Sequence, residues 1–121
     1  MQAEEIKKLK TELHEKADTL RDQLRKVADE NPLIKDEFDV RVEDLGSSME
    51  DASQELGEFD RRKALVNKLE KELKDVEYAL EKIEQGSYGK CENCSTEIIA
   101  ERMRARPVAT LCMSCAQRSG K

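Results

Sequence analysis

The chain contains no tryptophan, and aromatic residues supply only 3% of its 121 positions. Hydrophobic residues make up 37%, against 40% charged. So small an apolar supply excludes a thick globular core, while its regular spacing excludes the disordered class, and an extended shape is expected. Long apolar runs are missing as well: none could span a bilayer, and the opening MQAEEIKKLK carries charge where a signal peptide needs an apolar stretch. A soluble cytoplasmic protein with no membrane partner is expected. There is no basic excess either; the formal net charge of −5 argues against a protein held on nucleic acid by phosphate neutralisation. Histidine occurs once, at His14, with no Ser/His/Asp or Cys/His pairing in the sequence and no Gly-rich phosphate loop, so no enzyme is expected. His14 reads as a solvated helix residue.

What is present is concentrated near the C-terminus. All four cysteines fall between Gly86 and Cys115 as two C-x-x-C pairs, Cys91/Cys94 and Cys112/Cys115, with 17 residues between the pairs. Two thiolates separated by two residues reach one ion from a tight turn, and a second such turn supplies the other two ligands. One zinc ion in an all-cysteine tetrahedron leaves no place for water or substrate, so the metal is read as structural. Disulfides or a redox dithiol are the alternatives; no signal peptide points to an oxidising compartment, and a redox pair does not require a second pair.

Upstream, the pattern is helical. Ile6, Leu13, Leu20 and Val27 recur at seven-residue steps with Leu9, Ala17 and Leu24 beside them, which predicts an amphipathic helix over about residues 3–30. Asn31-Pro32 ends it, because a residue before proline is pushed out of the α region. A connection over 31–48 follows, holding Leu33, Ile34, Phe38, Val40, Val42 and Leu45 and ending in a Gly46-Ser47-Ser48 turn, with Asp51 three residues beyond Ser48 as in a capping box. The second helix is predicted over about 49–84, with Phe59, Val66, Leu73 and Leu80 interleaved by Leu69, Val76 and Ile83. This is a coiled-coil seam, and the two stripes can cover each other in an antiparallel hairpin. Arg62 on the seam and Gly57 inside the helix predict a looser half near the bend. Gly86 is placed to end the helix. The fold class is therefore mainly α: an antiparallel two-helix coiled-coil hairpin over residues 1–85, then a four-cysteine zinc finger over 86–121, expected to be monomeric.

Charge divides along this layout. Between Lys35 and Asp60, ten acids face two bases, so the expected tip of the hairpin is acidic. The finger carries six bases against three acids, among them Arg102, Arg104 and Arg106, either a binding cluster or a solvated helical turn.

The stretch Ala79-Leu80, Ile83-Glu84, Gly86-Ser87-Tyr88-Gly89, Cys91-Glu92-x-Cys94, Ile98, Glu101-Arg102-Met103-x-Ala105-Arg106-Pro107 and Leu111-Cys112-x-x-Cys115 resembles the DksA/TraR family of bacterial four-cysteine zinc-finger transcription regulators. That resemblance implies direct binding to RNA polymerase without a DNA site. The hairpin would enter the secondary channel, bring its acidic tip near the catalytic magnesium and alter promoter complexes, in several members together with the alarmone ppGpp. The full-length regulators carry D-x-x-D-x-A at the tip. Counting back from Cys91 puts Ser48, Asp51 and Ser53 there, and a one-residue shift offers Glu50 and Ala52, so one acid remains in either register. Arg102 and Arg106 are the implied contacts for polymerase or ppGpp. Asp75 and Ala116, however, stand where better-known members have lysines, which speaks against the anionic ppGpp. These departures fit a divergent paralogue. Two other readings stay open: a zinc-stapled coiled-coil adaptor for another protein, and a nucleic-acid-binding finger, which the arginines favour and the acidic whole opposes.

Overall fold

A computed structural model describes residues 2–35, 37–40 and 49–119, the side chains of residues 49–56 excepted. The fold is mainly α, with two antiparallel helices forming a coiled-coil hairpin and a four-cysteine finger after it. Helix α1 spans Ala3–Val27, strands β1 and β2 span Ala28–Glu30 and Phe38–Val40, helix α2 spans Met49–Gln85, and short helices α3 and α4 span Ala100–Ala105 and Met113–Arg118. Glu4 and Glu5 in the first turn of α1, and Arg25 and Lys26 in its last, complement the helix dipole.

The chain divides into two compact units, one of residues 18–74 and one formed by residues 1–17 with 75–121. In the first, the seam residues Leu20, Leu24, Val66, Leu69 and Leu73 are buried, as the heptad pattern requires. Phe59, nearer the bend, is only half-buried, and Arg62 on the seam is half-buried with its guanidinium 3.7 Å from Glu58. That is the looser packing expected there.

Helix α1 stops at Val27, earlier than the predicted end near residue 30, because Ala28–Glu30 pairs antiparallel with Phe38–Val40. Ala28 and Phe38 are both buried, so this small hairpin adds to the core. Asn31 builds its turn: the side-chain oxygen accepts from Leu33 N at 2.8 Å and Ile34 N at 3.3 Å, and its own N–H donates to Glu37 O at 2.8 Å. Asn31-Pro32 thus shapes a turn between strands, and does not itself end the helix. An ion pair of 3.7 Å between Lys74 and Glu37 joins α2 to the residue before β2. Burial raises the Glu70 carboxyl above its ordinary value; Lys74 opposes the rise, and the neighbouring Glu37 and Asp39 add to it. Residues 41–48, with the expected Gly46-Ser47-Ser48 turn and cap, lie outside the described residues.

In the second unit, Leu9, Leu13 and Ala17 of α1 are buried with Val76, Ala79 and Leu80 of α2, and Lys10 Nζ bonds Glu84 at 3.2 Å across the pair. Helix α2 closes in a Schellman motif: Gly86 N donates to Ile83 O at 3.2 Å and Ser87 N to Lys82 O at 3.0 Å. Gly86 has φ 78°, a left-handed conformation that admits glycine without strain. His14 is exposed, the solvated residue expected.

Leu73 is fully buried on the seam. Leu73→Asp puts an unpaired carboxylate there, and we expect a loss of about 3 kcal/mol or more. Thermal melts followed by circular dichroism should show a fall of roughly 10 °C or more; a melting temperature matching the unaltered protein would refute the seam.

Candidate metal centre

The finger begins with a second left-handed glycine, Gly89 at φ 84°, which turns the chain into the first knuckle. A bridge pairs Lys90 with Glu97, and Cys91 N donates to Thr96 O at 2.8 Å. Ser95 N donates to Cys91 O at 2.9 Å, and Ser95 takes φ 63° just after the second cysteine. These bonds hold Cys91 and Cys94 on one tight turn. Helix α3 carries the chain away, with Ile98 and Met103 almost wholly buried. Pro107 starts the return, and its carbonyl accepts from the Tyr88 hydroxyl at 2.8 Å. The buried Tyr88 phenol is pushed up to about 12, by burial and by the charge of Glu12. Cys112 then precedes α4, and Cys115 lies in its first turn.

The four Sγ atoms converge within 4.8 Å of one another, and all four cysteines are free thiols. Cys94 and Cys112, from different knuckles, have sulfurs 3.7 Å apart. Zinc–sulfur bonds of about 2.3 Å place the sulfurs of a tetrahedron roughly 3.8 Å apart, so the spacing fits the ion. Two side chains reach the sulfurs from outside the ligand set: Asn93 Nδ2 donates to Cys115 Sγ at 3.4 Å, and the Thr96 hydroxyl meets Cys94 Sγ at 2.8 Å. Backbone N–H groups of Cys112 and Cys94 hold the Cys91 thiol down to about 6. At Cys115 the Asn93 bond lowers the pKa, but burial and the other three sulfurs outweigh it and push the thiol up to about 11. Opposed shifts in one cluster are what crowded thiolates produce without a cation, and a dication favours the charged form at every ligand. The centre holds a structural zinc ion, one that keeps two loops closed and does no chemistry on substrate.

A family model described as the prokaryotic dksA/traR C4-type zinc finger matches residues 86–119, the segment just built. The chain thus carries a zinc finger of the dksA/traR type. It is 40% identical over 72 residues to the RNA polymerase-binding transcription factor DksA of Escherichia coli strain K12, a match covering 60% of this chain and 43% of that protein. The matched segment is therefore less than half the length of the curated DksA proteins. Two solved structures share the fold. DksA2 from Pseudomonas aeruginosa matches with a TM-score of 0.63 at 23% identity, covering 95% of this chain and 77% of the other. The Dks protein of Chlamydia trachomatis, an RNA polymerase binding protein and transcriptional regulator, matches with a TM-score of 0.57 at 24% identity, covering 99% and 92%.

The residues expected to matter are placed unequally. Cys91, Cys94, Cys112 and Cys115 come together. Arg102 is half-buried, its Nε on Leu111 O at 2.9 Å and its Nη1 on Met113 Sδ at 3.0 Å, so it ties α3 to the second knuckle. Arg104 pairs with Glu5 of α1 at 3.0 Å. Arg106 is exposed, and its guanidinium has no partner among the described residues. Asp75 and Ala116 are half-buried. Ser48 lies outside the described residues, as do the side chains of Glu50, Asp51, Ala52 and Ser53. Sequence reasoning passed over Tyr78, Lys82 and Glu92. Lys82 Nζ and the Tyr78 hydroxyl both donate to Glu92 Oε1, the former at 2.9 Å. The available signal was an acid between two metal ligands, preceded by Tyr and Lys one helical turn apart.

Native mass spectrometry is expected to find one zinc per chain. Cys112→Ser should abolish stoichiometric zinc and unfold the finger while most hairpin helicity survives in circular dichroism, since the seam rests on apolar burial and not on metal. A Cys112→Ser protein that retains zinc and folds as before would remove the ion from this site.

Proposed function

We propose that this chain is a non-enzymatic regulator of transcription that binds RNA polymerase directly in the cytoplasm, entering the secondary channel with the hairpin tip to modulate initiation. The observation that carries this reading is the 40% identity over 72 residues with proteins named RNA polymerase-binding transcription factor. Supporting it, the finger belongs to the same family type and is joined to paired helices. The stretch from Lys35 to Asp60, with ten acids and two bases, suits a tip that acts near a divalent metal. Among the described residues no helix is long and apolar enough to cross a membrane.

Within this reading the finger docks and the tip acts. Arg106, exposed and uncommitted, is the docking contact; Arg102, engaged inside the finger, supports the surface around it. Asp51 is the effector acid, and Glu50 takes that role in the shifted register with Ala52; Ser48 and Ser53 complete the first register. A ppGpp contribution is disfavoured, because Asp75 sets a carboxylate where a tetraphosphate needs a cation.

The test separates binding from effect. Asp51→Asn keeps size and removes charge, so affinity for core polymerase should change by less than about tenfold, roughly 1.4 kcal/mol, while the effect on promoter-complex lifetime falls sharply. Glu50→Gln is the control for the other register. Arg106→Ala should weaken binding first, by several-fold in Kd. Failure of the unaltered chain to retain polymerase core subunits in a bacterial lysate would overturn the proposal.

A further inference from the structure

Lys82 is the one charged side chain that is buried among the described residues, at 9% exposed. It lies one helical turn after Tyr78 on α2, in the stretch that also buries Val76, Ala79 and Leu80. Its ammonium is 2.9 Å from Glu92 Oε1 and 5.4 Å from the centroid of the Tyr78 ring. The Tyr78 hydroxyl donates to the same carboxylate oxygen. A buried ammonium is tolerated only when paired, and among the described residues the Glu92 carboxylate and the Tyr78 ring face serve it.

Glu92 is not free to follow the helix. It stands between Cys91 and Cys94, and its backbone N–H donates to Thr110 O at 2.9 Å, on the segment that leads into the second knuckle. Closing the sulfur cluster therefore fixes where the carboxylate can be. Opening it would leave Lys82 unpaired in an apolar stretch and strip the Tyr78 hydroxyl of its acceptor. We infer that Glu92 is a positioning residue that couples the zinc centre to the last turns of α2 through Lys82 and Tyr78, so that metal retention and helix order support each other. This inference rests on the metal centre and stands apart from the polymerase reading. Coupling of this kind is reciprocal by linkage: what zinc does for the helix, the helix must do for zinc.

The experiment uses the whole chain, zinc-loaded under reducing conditions. Lys82→Met keeps the apolar stem, removes the ammonium, and lies nine residues before the nearest cysteine. Zinc affinity, measured by competition with a chromophoric chelator, should fall roughly fivefold or more. Hydrogen–deuterium exchange over residues 74–87 of the zinc-loaded variant should rise toward that of the chelated unaltered protein. Glu92→Gln should do the same with the helix sequence untouched, and the double variant should be no weaker in zinc affinity than the weaker single one, because both remove one interaction. Chelation that leaves exchange at 74–87 unchanged, zinc affinities within twofold of the unaltered protein, or losses that simply add would each overturn the coupling.

Discussion

Four sulfur atoms drawn within 4.8 Å of one another form an arrangement that a short chain cannot hold by packing alone. Between Gly86 and Ser119 the buried side chains are few: Tyr88, Ile98, Met103 and Ala109 beside Cys91 and Cys115. Segments of this size fall below the length at which a hydrophobic core suffices, and a structural metal is one of the usual substitutes. The ion joins two turns that come from opposite sides of α3, and the segment between them needs only enough apolar surface to seat Met103. Removing the metal is therefore expected to act on the finger as a whole.

The closed finger also accounts for how α2 ends. The Schellman bonds at Gly86 and Ser87 satisfy carbonyls of the last turn, and Tyr88 immediately turns inward to Pro107. Glu92 then reaches back to Tyr78 and Lys82, and Arg104 reaches Glu5 of α1. The Arg104–Glu5 pair is exposed on both sides, so solvent screens it, whereas the Lys82–Glu92 pair sets a buried ammonium against a partly exposed carboxylate. Glu92 and Arg104 share a direction: both reach from the finger to the helices of its own unit.

Sequence periodicity made the helices legible because a seam repeats, and Leu9, Leu13, Leu20, Leu24, Val66, Leu73 and Val76 are buried where the repeat puts them. The cysteine spacing was equally direct, since ligand geometry constrains spacing tightly. Strands β1 and β2 were not legible. Three residues each are too short for a period-two signal, and their pairing depends on an Asn31 turn whose sequence reads equally well as a helix stop. The Lys82–Glu92 pair escaped for another reason: one partner lies on a helix and the other inside a metal loop, and no periodicity relates the two.

The three arginines near α3 illustrate how a sequence cluster can dissolve in the fold. Read along the chain, Arg102, Arg104 and Arg106 form a basic patch of the kind that favours a polyanion. In the structure Arg102 serves Leu111 and Met113, Arg104 serves Glu5, and only Arg106 is left with an uncommitted guanidinium. Exposed Lys90 and Arg118 are offset by exposed Glu97 and Glu101 on the same finger. Binding to a nucleic-acid backbone draws its strength from several cations acting together, each neutralising a phosphate and releasing counterions. With Arg102 and Arg104 already engaged, the finger is poorly equipped for that; within the proposed reading, the exposed Arg106 guanidinium suits bidentate recognition of a carboxylate on a protein partner.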